Sequence, residues 1–192
     1  MLLRRHVLIG LGAAALAPPA FARGRVRRLF DGRGLAGWDR VGDANWRVER
    51  GVLGADQGGI SFLVSRDSFR DFELRAEFWV SPDANSGIFL RCQDRATITV
   101  ANSYEVNIFD RRPDPTYATG AIVNVAPVSP LVPVGGRWSR MRIRAEGDRL
   151  NVVLNGRTTV AGARDATHRE GPVALQYGAG TVRFRRVELR EL

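Results

Sequence analysis

Apolar and polar positions alternate along this chain in short runs broken by glycine, proline, asparagine and aspartate. Beyond residue 22 no apolar stripe keeps a helical period for more than two turns. The plainest run is Phe72 to Val80, where Phe72, Leu74, Ala76, Phe78 and Val80 take one face and Glu73, Arg75, Glu77 and Trp79 the other. Similar runs cover Ser86 to Cys92, Tyr104 to Phe109, Gly120 to Val125, Met141 to Ala145, Leu150 to Leu154, Arg157 to Ala161 and Val173 to Gln176. Glu146-Gly147-Asp148 and Asn155-Gly156 predict tight hairpins, since Gly and Asn accept the positive φ of primed turns. Glu49-Arg50-Gly51 predicts another, between Trp46-Arg47-Val48 and Val52-Leu53. In the last run, Thr181 to Leu189, Val182 and Phe184 share one parity and Val187 and Leu189 the other, which predicts a β-bulge near Arg185-Arg186. The whole pattern predicts an all-β protein, an antiparallel two-sheet jelly-roll sandwich, in a single domain over 23–192.

The N-terminal segment reads differently. Arg4 and Arg5, the apolar run Val7 to Leu16 and the Ala20-Phe21-Ala22 triplet form a cleavable export signal over 1–22. Its paired arginines favour twin-arginine export, with an ordinary Sec signal as the alternative. The run is shorter than the ~20 residues that span a hydrocarbon core, and no cysteine follows the cleavage site to carry a lipid. The expectation is a periplasmic or secreted protein with no membrane anchor after cleavage. Cys92 is the sole cysteine, so no intrachain disulfide forms and stability must come from the core.

Charge excludes one class of partner. All 29 basic residues are arginine, and the formal charge of +9 becomes 9 − 2 = +7 without Arg4 and Arg5. These arginines are interleaved with Asp and Glu along the runs and accompany no aromatic-basic motif, so the pattern implies no nucleic-acid partner.

Strand parity supplies candidate chemistry. If Val106 and Ile108 fill the core, Glu105, Asn107 and Phe109 face away from it; by the same alternation Phe89 and Arg91 oppose Ile88, Leu90 and Cys92, and Gln176 opposes Val173, Leu175 and Tyr177. Arg91, Glu105, Asn107 and Gln176 are thus expected on one sheet surface. A carboxylate, a guanidinium and two amides suit the many hydroxyls of a sugar, and Trp79 and Phe89 are candidates to stack on a pyranose face. The same pattern is also what a plain solvated sheet displays. Asp110, at the start of a loop, either caps a turn or joins the site. His168, alone in a polar loop, reads as surface, and Cys92 as a packed, inert thiol. No cofactor-binding motif is present; an oxygen-rich divalent-metal site built from Glu105 or Asp110 stays an alternative.

A resemblance sharpens this. Leu29-Phe30-Asp31-Gly32 with Gly37-Trp38, Gly51-Val52-Leu53, Asp71-Phe72-Glu73-Leu74, Asn85-Ser86-Gly87-Ile88-Phe89-Leu90-Arg91, Tyr104-Glu105-Val106-Asn107-Ile108 with Asp110, Thr119-Gly120-Ala121, Leu154-Asn155-Gly156 and Leu175-Gln176 resemble, in order, the signatures of the 3-keto-disaccharide hydrolase domain family. The resemblance implies a concanavalin A-like jelly roll and a carbohydrate substrate already oxidised at C3. The ketone acidifies the C2 proton, permitting loss of the C1 substituent by elimination and then addition of water. It further implies a base near C2, for which Glu105 is the candidate, and an oxyanion partner near the C3 oxygen, for which Arg91 is the candidate. Asn107 and Gln176 would orient hydroxyls, and Asp110 would assist a proton transfer or a metal. The chain departs from the family where a histidine often follows the Leu-Gln pair, here Tyr177 and Gly178, and where glutamine is usual, here Asn107. A non-catalytic, lectin-like carbohydrate-binding module is therefore the alternative function.

Overall fold

The computed structural model describes residues 24–192, so the expected export signal over 1–22 lies outside the described residues. Thirteen strands follow in chain order: β1 (Val26–Phe30), β2 (Trp38–Val41), β3 (Arg47–Glu49), β4 (Val52–Ala55), β5 (Ser61–Ser65), β6 (Phe72–Val80), β7 (Asn85–Leu90), β8 (Tyr104–Ile108), β9 (Ser139–Glu146), β10 (Arg149–Leu154), β11 (Arg157–Arg164), β12 (Ala174–Ala179) and β13 (Val182–Glu191). They form an eight-stranded sheet in the order β11-β10-β9-β6-β13-β4-β3, with β1 added against β13, and a five-stranded sheet in the order β2-β5-β12-β7-β8. Every strand pairing is antiparallel.

The sheets pack face to face through the residues that parity assigns inward. Leu53, Leu74, Phe78, Ile143, Val152 and Phe184 from the larger sheet meet Leu63, Ile88, Leu90, Val106 and Leu175 from the smaller, all fully buried. Each such side chain contributes roughly 1.5–3 kcal/mol relative to exposure, which is how the fold holds without a disulfide.

Turn chemistry follows the sequence closely. The β3–β4 hairpin turns through Arg50 (φ 49°) and Gly51 (φ 79°), and β10–β11 through Asn155 (φ 50°) and Gly156 (φ 82°), the paired left-handed residues of a type I′ turn. The register of β13 against β6 slips between Phe184 and Arg186, where the bulge is expected, and Val187 and Leu189 thereby return to the core.

Two expectations change. Residues 120–125 form no strand: Asn124 turns the chain at φ 61°, and Ile122 makes only single bridges to Val106 and Ala126. The alternation there reflects a tight excursion that covers the edge of β8. Conversely β1, β2 and β5 are strands with no clear alternation to announce them. Ser61–Ser65 is buried at every position because it lies inside the smaller sheet with both faces covered.

Candidate functional site

The outward face of the five-stranded sheet is built from two rows of side chains. Register aligns Val41, Phe62, Gln176, Gly87 and Asn107 across β2, β5, β12, β7 and β8, and beside them Asp39, Val64, Ala174, Phe89 and Glu105. Adjacent strands lie about 4.8 Å apart, so Gln176 and Asn107 flank Gly87 on its two sides. Gly87 is where the sequence makes room: a β-carbon there would stand 3.0 Å from Oε1 and 3.2 Å from Cγ of Glu105. The Glu105 side chain thus leans over Gly87, toward the row that holds the two amides.

This cluster of side chains is polar and poorly solvated. Glu105 is 7% exposed, Asn107 0% and Gln176 8%. Burial pushes the Glu105 carboxyl up to about 7, outweighing the opposing field of Arg112. The Asn107 amide is oriented by its Nδ2, which donates to the carbonyl of Tyr117, so its Oδ1 has a fixed direction. That Oδ1 and the Oε1 of Gln176 are buried and accept no hydrogen bond from the protein. A buried acceptor left bare carries a penalty of roughly 1–3 kcal/mol, and a ligand that donates hydroxyls removes it.

The backbone around the site is held by the excursion after β8. The Asn107 N–H donates to the Ala121 carbonyl, Gly120 N–H donates to the Asn107 carbonyl, and Val123 N–H donates to the Glu105 carbonyl. Below, Phe62, Val64, Phe89, Cys92, Ile98 and Ala174 form a small apolar cluster separate from the inter-sheet core. It covers the Phe89 end of the face and keeps water from the Glu105 side.

Several sequence-based assignments need correction. Arg91 does not share the face with Glu105. The strand ends at Leu90, and Arg91 adopts φ 52°, which inverts parity and carries the side chain to the end of the sandwich. There its fully buried guanidinium donates to the carbonyls of Arg70 (2.8 Å), Gly147 (2.8 Å) and His168 (3.0 Å) and to Oδ1 of Asp71 (3.2 Å). It is a clamp between loops, with four of its five N–H donors engaged at the end of the sandwich. Parity inversion also moves Cys92 into the outer cluster, where burial pushes its thiol up to about 12.

Asp110 is occupied as well. Its Oδ1 accepts from the Thr119 hydroxyl (2.6 Å) and its Oδ2 from the N–H groups of Val134 (2.7 Å) and Gly135 (2.8 Å), so it ties two loops together. Trp79 lies on the other sheet, on its outer face, beneath the Arg183 guanidinium at 4.6 Å. Phe89 does border Glu105 but is 2% exposed and meets Phe62 edge to face at 5.2 Å, so it offers no open face for stacking.

His168 is not surface: it is 6% exposed, its ring meets Tyr104 at 4.9 Å, and its backbone N–H donates to the Tyr104 hydroxyl. For a metal, the described residues contain no group of three His, Cys, Asp or Glu side chains that could hold one. With Asp110 engaged, Glu105 is the lone carboxylate of the site, and the metal alternative lacks its second anion.

Two contributors were not singled out by sequence reasoning. Gly87 carries no chemistry of its own, and only the register shows why the position must be empty. Arg112 sits in the loop after β8, its guanidinium 6.0 Å from the Tyr117 ring centre, and its field reaches Glu105. Its proximity comes from the fold of residues 109–119.

Residues 25–190 match the 3-keto-alpha-glucoside-1,2-lyase-like domain model. The chain belongs to that family. Its fold is similar to two candidate glycosyl hydrolases of Parabacteroides distasonis. The first is 16% identical, with a TM-score of 0.75 over 87% of this chain and 94% of that one. The second is 24% identical, with a TM-score of 0.71 over 88% of this chain and 100% of that one. A carbohydrate-binding module of Bacillus subtilis is similar too, at 21% identity and TM-score 0.65 over 81% and 96% of the respective chains. Among curated proteins, none matches the chain. These likenesses establish the antiparallel jelly-roll sandwich that the strand pattern predicts, of the concanavalin A-like kind that the family resemblance implies.

Proposed function

We propose that the protein eliminates or hydrolyses the glycosidic bond of 3-keto-glycosides, with Glu105 as the proton-transferring group. The observation that carries this reading is the buried Glu105 carboxyl, held near neutrality above Gly87 and flanked by two unpartnered amide oxygens. A general base works best with a proton affinity near the working pH, and perturbed carboxyls in occluded sites mark candidate chemistry.

The step balances as follows. Glu105 takes the C2 proton, which the adjacent C3 ketone acidifies, and the electron pair of the C2–H bond passes into an enolate. The enolate re-forms the ketone as a C1=C2 double bond forms and the C1–O bond breaks. The aglycone leaves with the glycosidic oxygen and takes up the proton held by Glu105 or one from water. In the hydrolytic course water then adds across C1=C2, its hydroxyl to C1 and its proton to C2. Asn107 Oδ1 and Gln176 Oε1 accept hydrogen bonds from sugar hydroxyls and fix the ring. Arg112 takes the place first expected of Arg91, supplying positive charge toward the developing enolate. Export through the segment 1–22 belongs to the same proposal, as the route by which the protein meets its glycoside.

The test is release of aglycone from a 3-keto-glucoside, with and without divalent metal, compared with the unoxidised glucoside. The oxidised substrate alone should be consumed, and the rate should rise as pH passes through about 7. No release under any condition would sink the enzymatic reading. A second reading, a carbohydrate-binding module without turnover, is favoured by the withdrawal of Arg91 from the site. Calorimetric binding of unoxidised oligosaccharide, unchanged in Glu105→Gln, would decide for it.

A further inference from the structure

The outward face of the eight-stranded sheet carries a second surface feature. A hollow lined by Arg47, Glu49, Arg50, Val52, Trp138 and Arg183, in which Glu49 pairs with Arg47 at 2.9 Å, meets, at Trp138, another lined by Arg140, Asn155, Gly156 and Arg185. The latter continues through Arg140 and Gly156 into a third, lined by Arg75, Glu77, Arg142, Arg186 and Glu188. Together they form one groove across β4, β13, β6, β9 and β10, with the half-open Trp138 ring at its middle and the Arg185 guanidinium stacked on that ring at 4.4 Å.

The charges in this groove are unevenly spent. Glu77 holds Arg185 at 2.6 Å and Arg140 at 3.3 Å, and Arg47 is held by Asp56 at 2.7 Å. Arg50, Arg142 and Arg183 form no ion pair among the described residues, although Asp56 feels the charge of Arg183 at longer range. Free guanidiniums in a groove call for an anion. The glutamates set among them call for something more, namely a ligand that also donates hydrogen bonds.

We infer that this groove binds an acidic polysaccharide, a chain whose uronate or sulfate groups meet Arg50, Arg142 and Arg183 and whose hydroxyls donate to Glu77 and Glu188. A nucleic acid fits less well: its closely spaced phosphates would face those glutamates, and the groove offers one aromatic ring where strand binders offer a succession. A single pyranose can take the place of the Arg185 guanidinium on the Trp138 ring. The groove and the Glu105 site lie on opposite sheets, so the second site would hold the protein to a charged polymer while the first acts.

The experiment is fluorescence anisotropy of labelled polygalacturonate titrated with the protein at low and high salt. Salt-sensitive binding is expected, weakened roughly tenfold or more in the combined variant Arg50→Asn, Arg142→Gln, Arg183→Gln. Asparagine preserves the left-handed turn at residue 50. Trp138→Ala should weaken the glycan further while barely affecting any binding of duplex DNA, and Glu105→Gln should bind as the parent does. Full affinity in the triple variant, loss of affinity in Glu105→Gln, or duplex DNA bound as tightly as the glycan would each overturn the assignment.

Discussion

The outward faces of the two sheets obey the same alternation and yet behave as opposites. On the larger sheet many outward residues are arginines paired with acids in the open, such as Arg144 with Glu146 and Arg164 with Asp148. On the smaller sheet they are Glu105, Asn107 and Gln176, almost without solvent. The difference comes from what covers each face. The smaller sheet is overlaid by the Ile98 loop and by the excursion through residues 118–126, and the larger is not. Parity decides which side a residue faces; the covering loops decide whether that side is a surface or a chemical site.

The strongest way to test this contrast is Glu105→Gln. If Glu105 transfers the proton, the rate should fall by about 10²–10⁴-fold. Stability should move the other way. The carboxyl is raised from 4.5 to about 7 in the folded state, so the native protein binds the proton more tightly than the unfolded chain. Stability is then full below pH 4.5 and declines as pH rises toward 7. By pH 8 the ionised, buried Glu105 costs about 3 kcal/mol. Urea unfolding at pH 8 should show the variant more stable by roughly that amount, with the two proteins converging near pH 4; equal stability at pH 8 would mean the carboxylate is solvated after all.

Arg91→Met comes next. It removes a buried charge together with its bonds to three loop carbonyls, and should destabilise by about 3–5 kcal/mol without altering the pH profile of any surviving activity. A loss below about 1 kcal/mol would contradict its role as a clamp. Gly87→Ala is smaller in stability, about 1 kcal/mol, but the added methyl meets the Glu105 carboxyl and should displace it; activity should fall with the global unfolding transition nearly intact. The smallest effect is expected on the open face: Arg144→Gln should change stability by less than about 1 kcal/mol, and high salt should erase the difference.

Much of the fold was legible in the chain. The run from Phe72 to Val80, the hairpins at Arg50-Gly51 and Asn155-Gly156 and the bulge near Arg185-Arg186 follow from period and turn chemistry, which are local. Strand β5 was not, because a strand buried on both faces shows no alternation. The site was half legible. Glu105, Asn107 and Gln176 were placed on one face by parity, and the structure gathers them there around Gly87. Arg91 was misplaced because a single left-handed residue breaks the count, and nothing in an arginine announces a positive φ. Trp79 was misplaced for another reason: alternation tells inside from outside but not one sheet from the other. Asp110 and His168 depend on loops arriving from 24 and 64 residues away, contacts that no local pattern encodes.

The segment that closes the edge of β8 bonds directly to the main chain of Glu105 and Asn107. Were it to peel away to admit a bulky glycoside, the same motion would bare a row of ladder donors and acceptors to any neighbouring molecule. Access to the reaction centre and resistance to edge-to-edge association therefore rest on one short stretch of backbone, and loosening it to broaden substrate range would invite self-association.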